Sequence, residues 1–125
     1  MECKIEIVEH FGRKMVHARL KGEMTEEERN RIAIEAIGQM RNHGLNLAIW
    51  DIREATLAYS LIGSHKIVLN LSAPGLRPDD RVAVIYQHNR EHHQHSARVA
   101  QNRGIINLRY FRKPDEGIRW LADRS

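Results

Sequence analysis

The stretch Leu45-Asn-Leu-Ala-Ile-Trp-Asp-Ile-Arg-Glu-Ala-Thr-Leu-Ala-Tyr-Ser60 decides how this chain is read. Residues 45–50 are a short apolar run flanked by turn signals. They are too few for a helix, so they predict a buried strand. Asp51 closes that strand, and residues 52–56 read as a polar turn. From there Leu57, Leu61, Ser64 and Val68 recur at helical spacing, with Ala58, Ile62 and Leu69 beside them. That stripe predicts a helix over about residues 56–71. Open α/β folds meet ligands and partners where strands pass into helices at their carboxyl ends. The expected contact region is therefore residues 51–60, and its candidate binding residues are Asp51, Arg53, Thr56 and Ser60.

Working outward towards the amino terminus, Ile5, Ile7, Met15, His17 and Arg19 alternate at the two-residue period of strands. Phe11-Gly12-Arg13 supplies the glycine of a tight turn, so residues 3–10 and 14–21 predict an antiparallel hairpin, with residues 4–7 pairing against 16–20. Gly22-Glu23-Met24 closes it. Thr25-Glu-Glu-Glu28 is a capping box, in which the hydroxyl accepts from the third residue's N–H and Glu28 reaches back. Ile32, Ala33, Ala36, Ile37 and Met40 then share one helical face, and Gly44 ends that helix.

Towards the carboxyl terminus, residues 72–80 hold Pro74, Gly75 and Pro78 and predict a loop. That loop and the turn at residues 52–56 are the expected mobile, partner-facing parts. Residues 81–86 predict a second buried strand, about 90–102 a helix ended by Gly104, and 105–111 a last strand. Pro114 suits the first turn of a final helix carrying Ile118, Trp120 and Leu121. The predicted order is β-β-α-β-α-β-α-β-α. It makes residues 1–125 one α/β domain, with a mixed sheet of about five strands flanked by helices.

Composition narrows the function classes. A chain of 125 residues fits one domain that buries roughly two-thirds of its unfolded surface. No apolar stretch approaches the ~18 residues of a membrane span. The amino terminus lacks a charged-then-apolar signal, and Cys3 is a lone cysteine. Both favour the cytoplasm. With no charged group readable beside it, Cys3 is expected to be a strand residue rather than a reactive thiol.

Residues 1–89 hold 12 Lys and Arg against 12 Asp and Glu, so the net +4 lies in residues 90–125. Arg90, Arg98, Arg103, Arg109 and Arg112 sit there beside His88, His92, His93 and His95. A basic excess can attract anions, but a solvated helix face is the plainer account. Nucleic acid is disfavoured because Tyr86 and Tyr110 do not interleave with the basic residues as stacking platforms do.

Two chemistries are open to these residues. Asp51 as a general base needs a convergent polar group such as Arg53, Glu54 or Tyr59; a carboxylate accepting local backbone N–H bonds is the simpler role. His88, His92 and His95 at i, i+4 and i+7 fall on one face of the predicted helix and are the one candidate metal set. Val99 continues that face, which also suits packing at the core margin. The glycine spacing gives no phosphate-binding fingerprint, and no cofactor is expected. Trp50 and Trp120 are expected to be core aromatics.

The run Leu47-Ala-Ile-Trp-Asp-Ile-Arg53, the strand Val82-Ala-Val-Ile-Tyr86 and the ending Tyr110-Phe-Arg-Lys-Pro-Asp-Glu-Gly-Ile-Arg-Trp-Leu121 together resemble the STAS-like, SpoIIAA-like family of anti-sigma-factor antagonists. The resemblance spans nearly the whole chain. It implies a small non-catalytic regulatory or binding domain that engages a protein partner or an anionic, lipid-like ligand, with a homodimer left open. Phosphorylated antagonists carry an Asp-Ser-Ser-Gly-like run after this strand. Here Ala58-Tyr-Ser-Leu-Ile-Gly63 stands there, so only Ser60 lies near the regulated serine, without its acid or second serine. Phosphate on Ser60 or Thr56 would add about −1.5 to −2 charge.

Overall fold

The computed structural model describes residues 2–58, 76–88, 90–102 and 107–123, with only the backbone of residues 92, 100 and 102. The described elements are β1 (Glu2–His10), β2 (Arg13–Met24), α1 (Glu26–Asn42), β3 (Leu47–Leu57), β4 (Arg81–Ile85), α2 (Arg90–Asn102), β5 (Leu108–Phe111) and α3 (Pro114–Ala122). One five-stranded sheet runs in the order β1-β2-β3-β4-β5. β1 and β2 are antiparallel, and every later pairing is parallel. This is the mixed sheet expected from one hairpin followed by alternating strands and helices. The predicted helix between β3 and β4 lies, apart from its first residues, outside the described residues.

The hairpin turns on Phe11 and Gly12, whose φ values of 53° and 74° are both positive. A two-residue turn of this hand matches the strand twist, and the glycine accepts it without a Cβ penalty. Lys4, Ile5, Glu6 and Ile7 pair with Arg19, Ala18, His17 and Val16, as expected. The capping box at Thr25 is present in both directions. Gly44 at φ 64° follows the end of α1.

Alternation along the strands divides the core between two faces. One face carries Val16, Ala18, Leu20, Ala48, Trp50, Val82, Val84 and Tyr86, covered by Ile32, Ala33, Ala36, Ile37 and Met40 of α1. α2 lies along the same face, where its buried His93 meets Tyr86 and Tyr110 with ring centroids 5.0 and 5.7 Å apart. The opposite face carries Met15, Leu47, Ile49, Ala83 and Ile85, covered by Ile118, Trp120 and Leu121 of α3. Gly117 lets α3 approach closely: a Cβ there would stand 2.7 Å from Ile85 Cδ1 and 3.3 Å from Ala83 Cβ. Arg13 and Arg81 donate to the carbonyls of Leu121, Trp120 and Asp123, matching the negative end of that helix.

One expectation is corrected here. Asp51 does not close β3, and residues 52–56 are not a turn. The strand continues to Leu57, pairing Lys21, Gly22, Glu23 and Met24 with Glu54, Ala55, Thr56 and Leu57. Thr56 is therefore on a strand and cannot start a helix. Residues 76–80, the described part of the loop expected at 72–80, hold no helix or strand, as expected. Asp80 is fully buried, is paired with Arg41, and accepts the Arg77 N–H at 2.7 Å. Asn46 and Asn107 donate to the carbonyls of Asp79 and Arg77.

Candidate functional site

The site is built on a register shift. Arg19 stands opposite Asp51, but Lys21 stands opposite Glu54, so Leu20 alone faces two residues of β3. This is a β-bulge, with Arg53 as the extra residue; bulges re-aim side chains and increase local twist. Ile52 stays in the core before the bulge and Ala55 after it. Arg53 and Asp51 share the opposite face, beyond the part that α3 covers.

The bulge turns Arg53 back onto Asp51. Its Nε donates to Oδ1 at 2.9 Å, its Nη2 to Oδ2 at 2.7 Å, and its backbone N–H to Oδ1 at 3.2 Å. Such two-pronged guanidinium–carboxylate pairs combine charge with fixed geometry. His17 of β2 brings Nε2 to 3.9 Å from Oδ2, an ion-pair separation rather than a direct hydrogen bond. Asp51 is buried while 39% of the Arg53 side chain is exposed. Burial alone raises the carboxyl pKa. His17 and the bonds and charge of Arg53 outweigh it, holding the carboxyl well below the usual carboxylate range. The same pairing raises the Arg53 pKa.

Arg53, Glu54 and Thr56 reach water at this end of β3, beside exposed Lys21 and Glu23 of β2. Ser60 and Tyr59 lie outside the described residues. The structure brings Asp51 and Arg53 into direct contact and leaves Thr56 exposed further along the strand.

The histidine set is not one helical face. His88 is exposed and precedes α2, which carries only His92 and His95 of the three. The side chain of His92 lies outside the described residues. Among the described residues no group of three His, Cys, Asp or Glu could hold a metal ion. His93, which is not part of that set, is buried. Arg90, Arg98, Arg109 and Arg112 are on the surface, and Arg109 lies over the Trp120 ring at 5.3 Å. Cys3 is an exposed β1 residue whose thiol pKa is raised by partial burial and by Glu35.

A second feature was missed from sequence. Arg29 of α1 is buried, with its guanidinium 4.6 Å from the centre of the Trp50 ring. The Trp50 Nε1 donor beneath it is buried and finds no hydrogen-bond partner among the described residues. The signal was legible: Arg29 lies at i, i+3, i+4 and i+7 with Ile32, Ala33 and Ala36, inside the apolar stripe. His17 was legible too, as the polar residue two positions after Met15 on one face of an alternating strand.

No protein-family model matches the chain, and no curated protein matches it. Solved structures do. A DUF3478-family protein of Shewanella loihica PV-4 with a SpoIIAA-like fold superposes with a TM-score of 0.60 at 19% identity, over 96% of this chain and 93% of that one. The fold here is SpoIIAA-like. The anti-sigma-factor antagonist SpoIIAA in its unphosphorylated form matches at TM-score 0.55 and 14% identity, over 95% and 96% of the two chains. SpoIIAA in its phosphorylated form, a Bacillus cell fate determinant, matches at 0.53 and 16%, over 94% and 98%. No helix among the described residues of this SpoIIAA-like domain is long and apolar enough to cross a membrane.

Proposed function

We propose that the chain is a small non-catalytic regulatory domain of the cytoplasm that binds a protein partner at the carboxyl-terminal end of β3. The contact residues are Arg53, Glu54, Thr56 and Ser60, with Asp51 holding Arg53 in place. The observation that carries this reading is the Asp51–Arg53 pair. A general base works best with a pKa near the operating pH. Asp51 is held far below that range, and both its oxygens are taken by Arg53. This argues against the enzymatic alternative at Asp51 and for a charged surface whose geometry is set in advance. The fold shared with an anti-sigma-factor antagonist supports the same reading.

Capture from a native extract of the source cells tests it. Glu54→Lys and Thr56→Arg change exposed groups and should leave the fold intact. Each is expected to reduce the captured partner at least tenfold against wild type. Equal recovery by all three proteins excludes this end of β3.

Arg29 and Trp50 favour a second reading, an anionic, lipid-like ligand held between α1 and the sheet. Leu20, Ile32, Ile52 and Val84 complete an apolar lining around the guanidinium. The cavity there is about 10 Å³, near the size of one water. Such a ligand would have to part α1 from the sheet. Native mass spectrometry of untagged protein decides between retained small-molecule mass and none.

A further inference from the structure

The outer edge of β1 has no partner strand among the described residues, and it is long: Glu2–His10, against four residues in β5 at the other edge. Natural proteins blunt such edges with charge, because an open row of N–H and C=O groups recruits other strands. Here the charges alternate in sign. Lys4 and Glu6 project from one face of β1, and Cys3, Ile5 and Ile7 from the other.

We infer that this edge pairs with the same edge of a second copy of the chain, antiparallel, with Ile5 opposite Ile5 about a twofold axis. The sequence is self-complementary in that register and poorly matched in its neighbours. Lys4 falls opposite the second copy's Glu6, and Glu6 opposite its Lys4. Cys3 falls opposite Ile7 on the other face, flanking the Ile5 pair. Shifting the register by two residues sets Glu6 against Glu6, or Lys4 against Lys4, and like charges directly opposite are destabilising.

Backbone geometry agrees. In a hairpin closed by a two-residue turn the flanking pair, His10 and Arg13, is hydrogen-bonded. The even residues of β1 then point their backbone groups at β2, and Cys3, Ile5 and Ile7 point theirs outward. The twofold at Ile5 aligns those three residues with their counterparts for roughly six N–H···O bonds, joining two five-stranded sheets into one. The side chains that would meet are open: Lys4 and Glu6 are 72% and 44% exposed and share only a 4.0 Å contact along their own strand, and Ile7 is 37% exposed. A twofold contact of this kind uses the same patch on both subunits, as closed dimers require.

Sedimentation velocity of the untagged chain over a concentration series tests the pairing. Wild type is expected to show a monomer–dimer equilibrium. Glu6→Lys and Lys4→Glu, each setting like charges against each other, are each expected to raise the dissociation constant at least tenfold. Mixing those two variants, or combining both changes in one chain, restores opposite charges at every crossing and should recover dimerisation. A wild type that stays monomeric at the highest attainable concentration overturns the proposal. So does a dimer that neither single variant weakens, or weakening that neither the mixture nor the combined variant reverses.

Discussion

Arg53 and Asp51, two residues apart on one strand, close a two-pronged ion pair with donor–acceptor distances of 2.9 and 2.7 Å. Regular alternation already puts positions i and i+2 on one face. The bulge adds the bend that aims the guanidinium backwards instead of outwards. The pair is unequal, because the carboxylate is buried and the guanidinium is partly in water.

That inequality predicts unequal costs. Arg53→Ala strands a buried carboxylate, and we expect a loss of about 1–3 kcal/mol. Asp51→Asn leaves a guanidinium that can turn to solvent and keeps an oxygen for the Arg53 backbone N–H, so its cost should be smaller. Urea unfolding of the two variants checks the order. Equal costs would contradict the assigned burial.

The depressed Asp51 pKa fixes a sign in pH. The folded state holds its proton less tightly than the unfolded chain, whose Asp titrates near ~3.9. The contribution is therefore complete above the unfolded pKa and is lost as pH falls below it, so stability rises with pH across that window. Melting temperatures from about pH 6 down to about pH 3 should fall more steeply for wild type than for Asp51→Asn. Parallel slopes would remove Asp51 from the account.

Two helical glycines predict opposite outcomes. A methyl group added at Gly38 of α1 would meet nothing within 4 Å among the described residues, and Gly38→Ala should stabilise by about 0.5–1 kcal/mol through the unfolded chain's lost freedom. Gly117 faces Ile85, Phe111 and Ala83, and Gly117→Val should overpack that contact at a cost of about 1–3 kcal/mol. Thermal unfolding followed by circular dichroism reads both.

Thr25 accepts the Glu28 N–H at 3.2 Å, and its own N–H donates to the Glu28 carboxylate. Thr25→Ala removes the hydroxyl half of this cap and should cost about 1 kcal/mol. Thr25→Ser should restore most of it, which separates capping from packing of the methyl group. Thermal melts of the three proteins compare them directly.

Much of this architecture was legible because local and global signals agree. Phe11-Gly12 demands a tight turn, Thr25 and Glu28 demand a helix start, and Pro114 sits in the first turn of α3. The strand at Val82 and the helix starting at Arg90 follow from composition and period. β3 was cut short because the bulge resets its phase. Ile52 and Ala55, three apart, look helical, and the charged pair between them looks like a turn. The Asp51–Arg53 contact was beyond reach for the same reason. It depends on pairing with β2, where a one-residue shift exchanges inside for outside. Arg41 and Asp80, distant in sequence and joined at the strand ends, left no local trace.

The two tryptophans stand on opposite sides of the sheet, Trp50 on the sheet under α1 and Trp120 on α3 itself. Each has its own cationic cover, Arg29 for the first and Arg81 with Arg109 for the second. The molecule thus carries one tryptophan per layer. A chain with only Trp50 reports the detachment of α1, and a chain with only Trp120 the detachment of α3. Comparing their denaturation midpoints would resolve whether the two sides of the sheet melt as one cooperative unit or peel away in sequence.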